Sequence, residues 1–391
     1  MQPTLRLERL ALSHFRNYAA LTWRPDAAMV VLSGANGSGK TNLLEAISLL
    51  VPGRGLRGAK VSELARRGEE ALGRWGVAGQ FATPHGPADI GTGSAPDGSP
   101  ERRVFRLDGS APRNQAALAE RVAAVWLTPQ MDRIFQDGAS ARRRFLDRLA
   151  YALEPGHARE IAAHDTALAS RNRLLAVGGA DPAWLAGVED AMARHAVAAT
   201  AARMQLVAKL DAALQSGGAD PFPAARLGLV SAIADRLAQA PALAVEDWLR
   251  DGLARARQSD AAAGSAALGA HRADMTLADA ATGLPAAQAS TGQQKALLIG
   301  VVLGHAALLA AQRGAAPLLL LDEPLAHLDA ARREALFAAL LRLPAQVFLT
   351  GTDAGIFAPL RGHASGFTVG GGTLTPDPGL IRPALCIDRC P

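Results

Sequence analysis

The residues best suited to chemistry form one glycine-rich run near the start of the chain. It is Gly34-Ala35-Asn36-Gly37-Ser38-Gly39-Lys40-Thr41, which fits the pattern G-x-x-x-x-G-K-[ST] at every position. Glycines let backbone N–H groups turn toward phosphate oxygens, and the positive end of a following helix attracts the same anion. The Lys40 amine can reach the terminal phosphates of a nucleotide, and the Thr41 hydroxyl suits Mg²⁺. The run therefore predicts a site for nucleotide phosphates and Mg²⁺.

Two acids near the other end of the chain supply what this loop lacks. Four leucines, residues 318–321, lead into Asp322 and Glu323, a sequence typical of a buried parallel strand that ends at a ligand site. An Asp at this place can hold Mg²⁺, usually through water. The next carboxylate is placed to orient and deprotonate an attacking water. We therefore predict Asp322 as a metal ligand and Glu323 as the catalytic base.

A third group lies between them and suggests a second phosphate cradle. Residues 290–294 are Ser-Thr-Gly-Gln-Gln, about 30 positions before the two acids, which leaves room for one helix and a turn. A serine and a glycine at a helix N-terminus can bind phosphate, so Ser290, Gly292 and Gln293 are candidate nucleotide contacts. One nucleotide has only one γ-phosphate. Two cradles per chain therefore predict a head-to-tail dimer, in which Lys40 of one chain and Ser290 of the other hold the same nucleotide.

Strands and helices must flank these groups to position them. Residues 29–32 are apolar and predict a buried strand before the glycine-rich loop, and residues 42–50 place apolar side chains at helical spacing after it. This context favours a phosphate site over an ordinary glycine-rich turn. Further strands are predicted at residues 5–12, 20–23, 75–81, 104–107, 122–127 and 346–350, a loop at 84–100, and a hairpin turn at 370–372.

The length and the helical patterns predict an α/β protein with two lobes. A chain of 391 residues, 49% hydrophobic and 20% charged, is long enough for two or three folded domains. We predict that residues 1–130 and 300–391 form a nucleotide-binding lobe. Residues 131–299 then form a helical second lobe, a short arm that carries the Ser290 group. Its helical patterns are at residues 158–175, 184–214 and 230–258, and glycine pairs separate them.

Two basic segments are candidate contacts with DNA. The first holds Arg54, Arg57 and Lys60 among glycines, and the second is Arg142, Arg143 and Arg144. A net charge of +5 mildly favours an acidic partner such as nucleic acid. Three adjacent arginines point about 100° apart around a helix, so they cannot all meet one partner. A solvated surface is the alternative interpretation for both segments.

The cysteine content and the apolar runs bear on the compartment. Cys386 and Cys390 are the two cysteines, and both lie near the end of the chain, so no disulfide framework can span it. The uncharged run at residues 296–311 is shorter than the roughly 20 residues that span a bilayer, and we interpret it as a buried helix. The start of the chain has charges and no secretory pattern. We expect a cytoplasmic protein with no membrane partner.

These groups together resemble the ABC-type ATPases. The phosphate loop, the Ser290 group, the pair Asp322-Glu323 and a following loop that ends in Asp329 occur here in the order found in that superfamily. The resemblance implies ATP as the nucleotide and Asp329 as a further nucleotide contact. Lys40 and Ser290 are about 250 residues apart, more than transporter subunits are expected to need. SMC-like repair ATPases insert a helical arm at this place.

The arm must be short, and four local matches resemble the RecF family of replication and repair proteins. They are residues 15–18 (Phe-Arg-Asn-Tyr), 142–147 (Arg-Arg-Arg-Phe-Leu-Asp), 171–175 (Arg-Asn-Arg-Leu-Leu) and 269–274 (Gly-Ala-His-Arg-Ala-Asp). The resemblance implies an ATP-dependent homodimer that binds single- and double-stranded DNA at gaps. It also implies RecO and RecR as partners, with which such a dimer helps load RecA onto gapped DNA.

Departures from the family patterns bear on catalysis. The family tends to have Gly-Pro-His-Arg where this chain has Gly-Ala-His-Arg at residues 269–272. The position of the ABC switch histidine is Thr352, so we expect slow hydrolysis. Gln130 follows a predicted strand, and the resemblance implies it as the glutamine that coordinates Mg²⁺. Two alternatives stay open: the ATPase subunit of an ABC membrane transporter, and a DNA-binding scaffold that binds ATP without useful turnover.

Overall fold

The computed structural model describes residues 5–25, 27–68, 73–99 and 101–380, and these form two compact units. The first unit takes its residues from 1–132, 218–222 and 298–391, and the second from 133–217 and 223–297. The lobe boundaries expected from the sequence, after residues 130 and 299, lie close to these bounds. The short segment 218–222 joins the first unit, which the sequence does not indicate. Cys386 and Cys390 lie outside the described residues.

The regular elements of the described residues follow in chain order. They are β1 (Arg6–Phe15), β2 (Tyr18–Trp23), β3 (Met29–Ser33), α1 (Lys40–Leu49), β4 (Gly76–Ala82), β5 (Ala88–Ser94), β6 (Arg103–Leu107), α2 (Gln115–Arg121), β7 (Ala124–Leu127), α3 (Ala139–Leu153), α4 (His157–Val177), α5 (Pro182–Gln215), β8 (Ala225–Val230), α6 (Ala232–Leu237), α7 (Ala242–Arg255), α8 (Arg257–Ala263), β9 (Asp274–Asp279), α9 (Thr291–Arg313), β10 (Leu318–Leu321), α10 (Ala330–Arg342), β11 (Val347–Gly351), β12 (Ser365–Gly370) and β13 (Thr373–Pro376). Short 3₁₀ turns connect several of them.

A six-stranded sheet in the first unit positions the chemical groups. Its strand order is β13-β12-β3-β11-β10-β7, and all neighbours are parallel except the β12–β13 hairpin. Strands β3, β7, β10 and β11 are buried along their whole length, which explains their continuous apolar sequences. The predicted strands at 29–32, 122–127 and 346–350, the leucine strand and the hairpin turn at 370–372 are confirmed.

A five-stranded antiparallel sheet is the second layer of this unit, in the order β2-β1-β4-β5-β6. The predicted strands at 5–12 and 20–23 are confirmed as β1 and β2, which pair antiparallel, and so are the strands at 75–81 and 104–107. The predicted loop at 84–100 is wrong, because β5 lies within it. Ala88, Ile90 and Thr92 of that strand are buried, whereas Asp89 and Gly91 between them are more exposed. The alternation typical of a strand is therefore present, but its glycines suggest a loop.

One buried amide links the strands of the two sheets. The Gln346 side chain is fully buried; its Oε1 accepts the Leu7 N–H at 2.7 Å, and its Nε2 donates to the carbonyls of Leu7 and Ala27. In the same unit, Trp23 packs edge-on against Phe348 and Phe367. The first unit thus combines a polar link between its sheets with a continuous apolar core.

The second unit is built on the α4–α5 hairpin. Helix α5 starts at an Asp181 N-cap, with Pro182 in its first turn, and its buried face includes Met192, Ala196 and Leu206. The helical patterns at 158–175 and 184–214 are confirmed. The helical pattern at 230–258 is confirmed over most of its length but forms separate helices, because Val230 ends strand β8 and Pro241 separates α6 from α7. The antiparallel pair β8–β9 was not expected.

Buried ion pairs explain two of the local sequence matches in this unit. Arg171, fully buried, donates to Glu189 at 3.0 Å and to Asp260 at 2.7 Å. Asp147 accepts two bonds from Arg203, at 2.8 and 2.9 Å. Buried charges of this kind must be paired, so these residues have structural roles in the helical unit.

Helix α9 contains the long uncharged run. Among the described residues, it is the one helix long and apolar enough to cross a membrane, and 78% of its most apolar window is buried. The buried helix predicted over 296–311 is therefore confirmed.

Candidate nucleotide-binding and catalytic site

The glycine-rich loop leaves the end of β3 and turns into the first residue of α1. Gly34 and Gly39 have φ values of +142° and +113°, which favour glycine. A Cβ on Gly34 would lie 2.6 Å from the Val369 carbonyl oxygen, and one on Gly39 would lie 2.5 Å from Nδ2 of Asn17. The positive φ strains a larger residue at both positions, and at Gly34 the neighbouring backbone also leaves no room for one. The predicted strand–loop–helix is thus confirmed.

Lys40 lies inside the curve of this loop. Its Nζ donates to the carbonyls of Gly34 at 2.7 Å and Ala35 at 2.9 Å, and the residue is 4% exposed. Burial lowers the pKa of Lys40 below its usual range, while the negative charges of Glu323 and Asp322 act in the opposite sense. The ammonium group is therefore close enough to the two acids to feel their charge.

The acids reach the loop because of the strand order. Strands β3, β11 and β10 are parallel neighbours, so their carboxyl ends meet at one edge. There the Thr41 hydroxyl donates to Oδ1 of Asp322 at 2.9 Å. A hydroxyl and a carboxylate this close form a set of hard oxygen donors, and this set fits Mg²⁺. Gln130 lies exposed in a 3₁₀ turn after β7, the neighbour of β10, and its role as a ligand stays a prediction.

A threonine that the sequence analysis did not single out joins both acids. The Thr350 hydroxyl, at the end of β11, donates to Oδ1 of Asp322 at 2.8 Å and accepts the Glu323 N–H at 2.8 Å. Glu323 has a φ of +48°, a left-handed conformation that is rare outside glycine. The only sequence signal was a polar residue in an otherwise apolar strand.

The turn between β1 and β2 supports the phosphate loop from the side. Asn17 Nδ2 donates to the Ser38 carbonyl at 3.2 Å, and the Tyr18 hydroxyl donates to the Gly39 carbonyl at 3.1 Å. The sequence match at residues 15–18 thus has a local physical reason. Asn17 and Tyr18, at the β1–β2 turn of the antiparallel sheet, hold the backbone of the glycine-rich loop in place.

A buried carboxylate on α1 ties this turn to the first basic segment. Glu45, 1% exposed, accepts from Arg16 through both oxygens at 2.8 Å. Arg57 also donates to Glu45, at 3.1 Å, and to Asn42, at 2.7 Å. Arg57 therefore has a structural role beside the phosphate loop, although it is exposed like Arg54 and Lys60.

The second basic segment also contains arginines that are paired within the protein and one that is exposed. Arg142 makes a two-bond ion pair with Asp274, both at 2.8 Å, and Arg143 donates to the Ala273 carbonyl at 2.9 Å. Arg144, one position on, is exposed. The three arginines do point to different surroundings, as the helix geometry requires. DNA contact by any of them stays a prediction.

The Ser290 group lies at the start of α9, as expected. Ser290 Oγ accepts the Gln293 N–H at 3.3 Å, and Gln293 Oε1 accepts the Ser290 N–H at 2.9 Å, which is a capping box. Both residues are exposed, and Gly292 is half-buried. Asp329 caps α10 through the Arg332 N–H at 2.8 Å, and Thr352 is exposed just after β11. Their nucleotide contacts stay predictions.

Known proteins resemble this chain along nearly its whole length. Residues 29–351 match the family model described as "AAA domain, putative AbiEii toxin, Type IV TA system". The DNA replication and repair protein RecF of Mesorhizobium japonicum is 44% identical over 378 residues, which cover 96% of this chain and 99% of that protein. RecF of Agrobacterium fabrum is 44% identical over 380 residues, which cover 96% of this chain and 100% of that protein.

The chain belongs to the RecF family.

Solved structures agree on the fold of this RecF-family chain. The recombination mediator protein RecF-ATPrS of the RecFOR pathway is 22% identical with a TM-score of 0.82, covering 96% of this chain and 99% of that one. The Smc head domain derived from Pyrococcus furiosus is 16% identical with a TM-score of 0.52, covering 95% and 96%. The predicted fold, an ABC-type P-loop ATPase head with a helical second lobe, is confirmed.

Replacing Glu45 tests the support of the RecF-family phosphate loop. Glu45→Gln removes the buried charge that pairs with Arg16 and Arg57 and leaves these two arginines without a full partner. We expect the free energy of unfolding to fall by about 3 kcal/mol, measured by urea denaturation. The control is Glu63→Gln, an exposed acid whose side chain accepts only the Lys60 N–H among the bonds described here. It should change stability by less than about 0.5 kcal/mol. Equal effects of the two variants would contradict this role of Glu45.

Proposed function

We propose that this chain is an ATP-dependent DNA-binding protein of recombinational repair and replication. The observation that carries the proposal is the contact of Thr41 with Asp322, which brings the phosphate loop, Lys40 and Glu323 to one edge of the sheet. Membership of the RecF family supports the DNA-repair setting and speaks against the transporter alternative. We place the protein in the cytoplasm.

The residues of the site divide the work of hydrolysis. The loop amides and Lys40 bind the phosphates, and Thr41 and Asp322 hold Mg²⁺, with Gln130 as a further candidate ligand. Mg²⁺, when bound, neutralises charge that develops on the phosphate oxygens. Glu323 orients a water and takes its proton as the water oxygen bonds to the γ-phosphorus. The bond from that phosphorus to the bridging oxygen breaks, and ADP leaves with the electron pair. With Thr352 in the switch position, hydrolysis is slow.

The dimer follows from the exposed start of α9. Ser290, Gly292 and Gln293 of one chain contact the nucleotide that the other chain binds through Lys40, and Asp329 adds a contact at the same seam. ATP bound at the interface then holds the two chains together, and hydrolysis lets the dimer dissociate. A related structure bears the name of the RecFOR pathway, which supports RecO and RecR as partners and loading of RecA onto gapped DNA as the outcome.

Two substitutions should separate ATP binding from chemistry. Lys40→Ala removes the charge that meets the terminal phosphates, so we expect ATP affinity to fall at least about 100-fold. Glu323→Gln keeps size and hydrogen bonding but lacks the base, so ATP should bind normally while turnover falls about 100-fold. Binding of a fluorescent ATP analogue and phosphate release, each with and without DNA, measure the two effects. Normal turnover in Glu323→Gln would show that Glu323 is not the catalytic base.

DNA binding should weaken steeply with salt, because contacts with DNA phosphates release counterions. Arg57 is left unchanged because it pairs with Glu45. The test uses the double variant Arg54→Gln/Lys60→Gln and, separately, the variant Arg144→Gln. Each lost contact should reduce the salt slope by about 1, measured by anisotropy on a gapped duplex. Arg102→Gln, an exposed arginine paired with Asp97, is the control and should keep the parent slope. Unchanged salt slopes would indicate that both basic segments are solvated surfaces that do not contact DNA.

Ser290→Arg tests the shared nucleotide site. The added bulk and charge lie at the proposed seam, while Lys40 and Thr41 still hold the nucleotide in the same chain. ATP affinity should stay within about threefold, whereas ATP-dependent dimers and DNA-stimulated hydrolysis should disappear. Sedimentation velocity with and without ATP gives the assembly state. Ser259→Arg, on an exposed face of α8, is the matched control. Normal dimers of Ser290→Arg would refute the shared site.

A further inference from the structure

Thr350 is a buried hydroxyl that contacts both acids of the proposed ATPase site. It is 1% exposed and lies one residue before the end of β11. Its oxygen is 2.8 Å from Oδ1 of Asp322 and 2.8 Å from the Glu323 nitrogen. None of the sequence motifs described above includes it.

The direction of each hydrogen bond is fixed by the chemistry of its partner. A backbone N–H can only donate, so the threonine oxygen accepts from Glu323. A carboxylate can only accept, so the single hydroxyl proton of Thr350 is directed to Asp322. The hydroxyl therefore has one orientation that satisfies both bonds. The same Asp322 oxygen also accepts from Thr41 at 2.9 Å, so one carboxylate oxygen lies between two threonines.

The contact with Glu323 bears on the backbone as well. Glu323 has a φ of +48°, and a left-handed conformation at a residue with a side chain persists only where the surroundings enforce it. The bond from its N–H to Thr350 is one such constraint. Because the backbone conformation sets the direction in which the Glu323 side chain leaves the strand, a change in this bond would redirect the proposed base.

We propose that Thr350 is a positioning residue for ATP hydrolysis, which fixes the Asp322 carboxylate beside Thr41 and holds the turn that aims Glu323. This inference rests on the proposed ATPase function and deepens it. Thr350 touches neither nucleotide nor water in this role. It acts through the metal ligand and the base, so that its hydroxyl should affect Mg²⁺ binding and turnover together while ATP affinity at saturating Mg²⁺ stays unchanged.

Variants at this position can separate the hydroxyl from the packing. Thr350→Val keeps the branched shape that a buried strand favours but lacks the hydroxyl. Thr350→Ser keeps the hydroxyl with less bulk. Thr350→Ala lacks the hydroxyl and is smaller than the parent side chain, so it introduces no clash if the valine variant folds poorly. Thr375→Val, on an exposed position of β13, is the matched control.

The first measurement is the Mg²⁺ concentration for half-maximal binding of a fluorescent ATP analogue, and the second is kcat and KM for ATP with DNA present. For Thr350→Val and Thr350→Ala we expect the Mg²⁺ midpoint to rise at least about threefold and kcat to fall about 10- to 100-fold, with KM within about threefold. Thr350→Ser should recover kcat to within about threefold of the parent. Thr375→Val should match the parent in every quantity.

Two outcomes would overturn the proposal. One is a parent-like Mg²⁺ midpoint and kcat in a folded Thr350→Val or Thr350→Ala protein. The other is equal impairment of Thr350→Ser and Thr350→Val, which would assign the effect to packing. Failure of the proposed function has a different signature, namely that Glu323→Gln turns over ATP like the parent. The Mg²⁺ midpoint is measured by binding alone, so it decides the role of Thr350 in either case.

Discussion

The hydrogen bond between Thr41 and Asp322 is the contact on which the candidate site depends. It joins residues that lie at opposite ends of the sequence, and it forms only because β3, β11 and β10 are parallel neighbours whose carboxyl ends share one edge. A different strand order would separate the phosphate loop from the acids. The buried amide of Gln346 helps to stabilise this strand order, since it forms hydrogen bonds with backbone groups of β1 and of the segment that precedes β3.

The phosphate loop is shaped from outside as well as by its own glycines. Asn17 and Tyr18 hold two of its carbonyls, and Glu45 draws Arg16 and Arg57 against the first helix. The loop thus depends on a turn of the antiparallel sheet and on a basic segment that follows α1. We therefore expect substitutions in either segment to alter the shape of the nucleotide site, although neither segment contacts the nucleotide itself.

The sequence predicted the parts of the site that are local and missed those that join distant segments. The glycine-rich loop, the leucine strand with its two acids and the Ser290 group each carry their signal within a few residues. Thr350, Glu45 and the pairing of Arg57 depend on partners elsewhere in the chain, and a lone threonine or glutamate gives no sign of them. The same reason explains strands β8 and β9, whose pairing spans about 50 residues. Strand β5 was missed because its glycines are typical of loops.

Two amides at the start of α9 already have side-chain partners in the isolated chain, because the Ser290 N–H bonds to Gln293 Oε1 and the Gln293 N–H bonds to Ser290 Oγ. A phosphate that binds either of these two amides must displace its side-chain partner, so the free energy gained there is the difference between two partners. In the proposed dimer, contact across the seam is thus an exchange of ligands at a helix end. Exchanges of this kind are nearly balanced, so such a seam can close on one nucleotide and reopen without unfolding the helix.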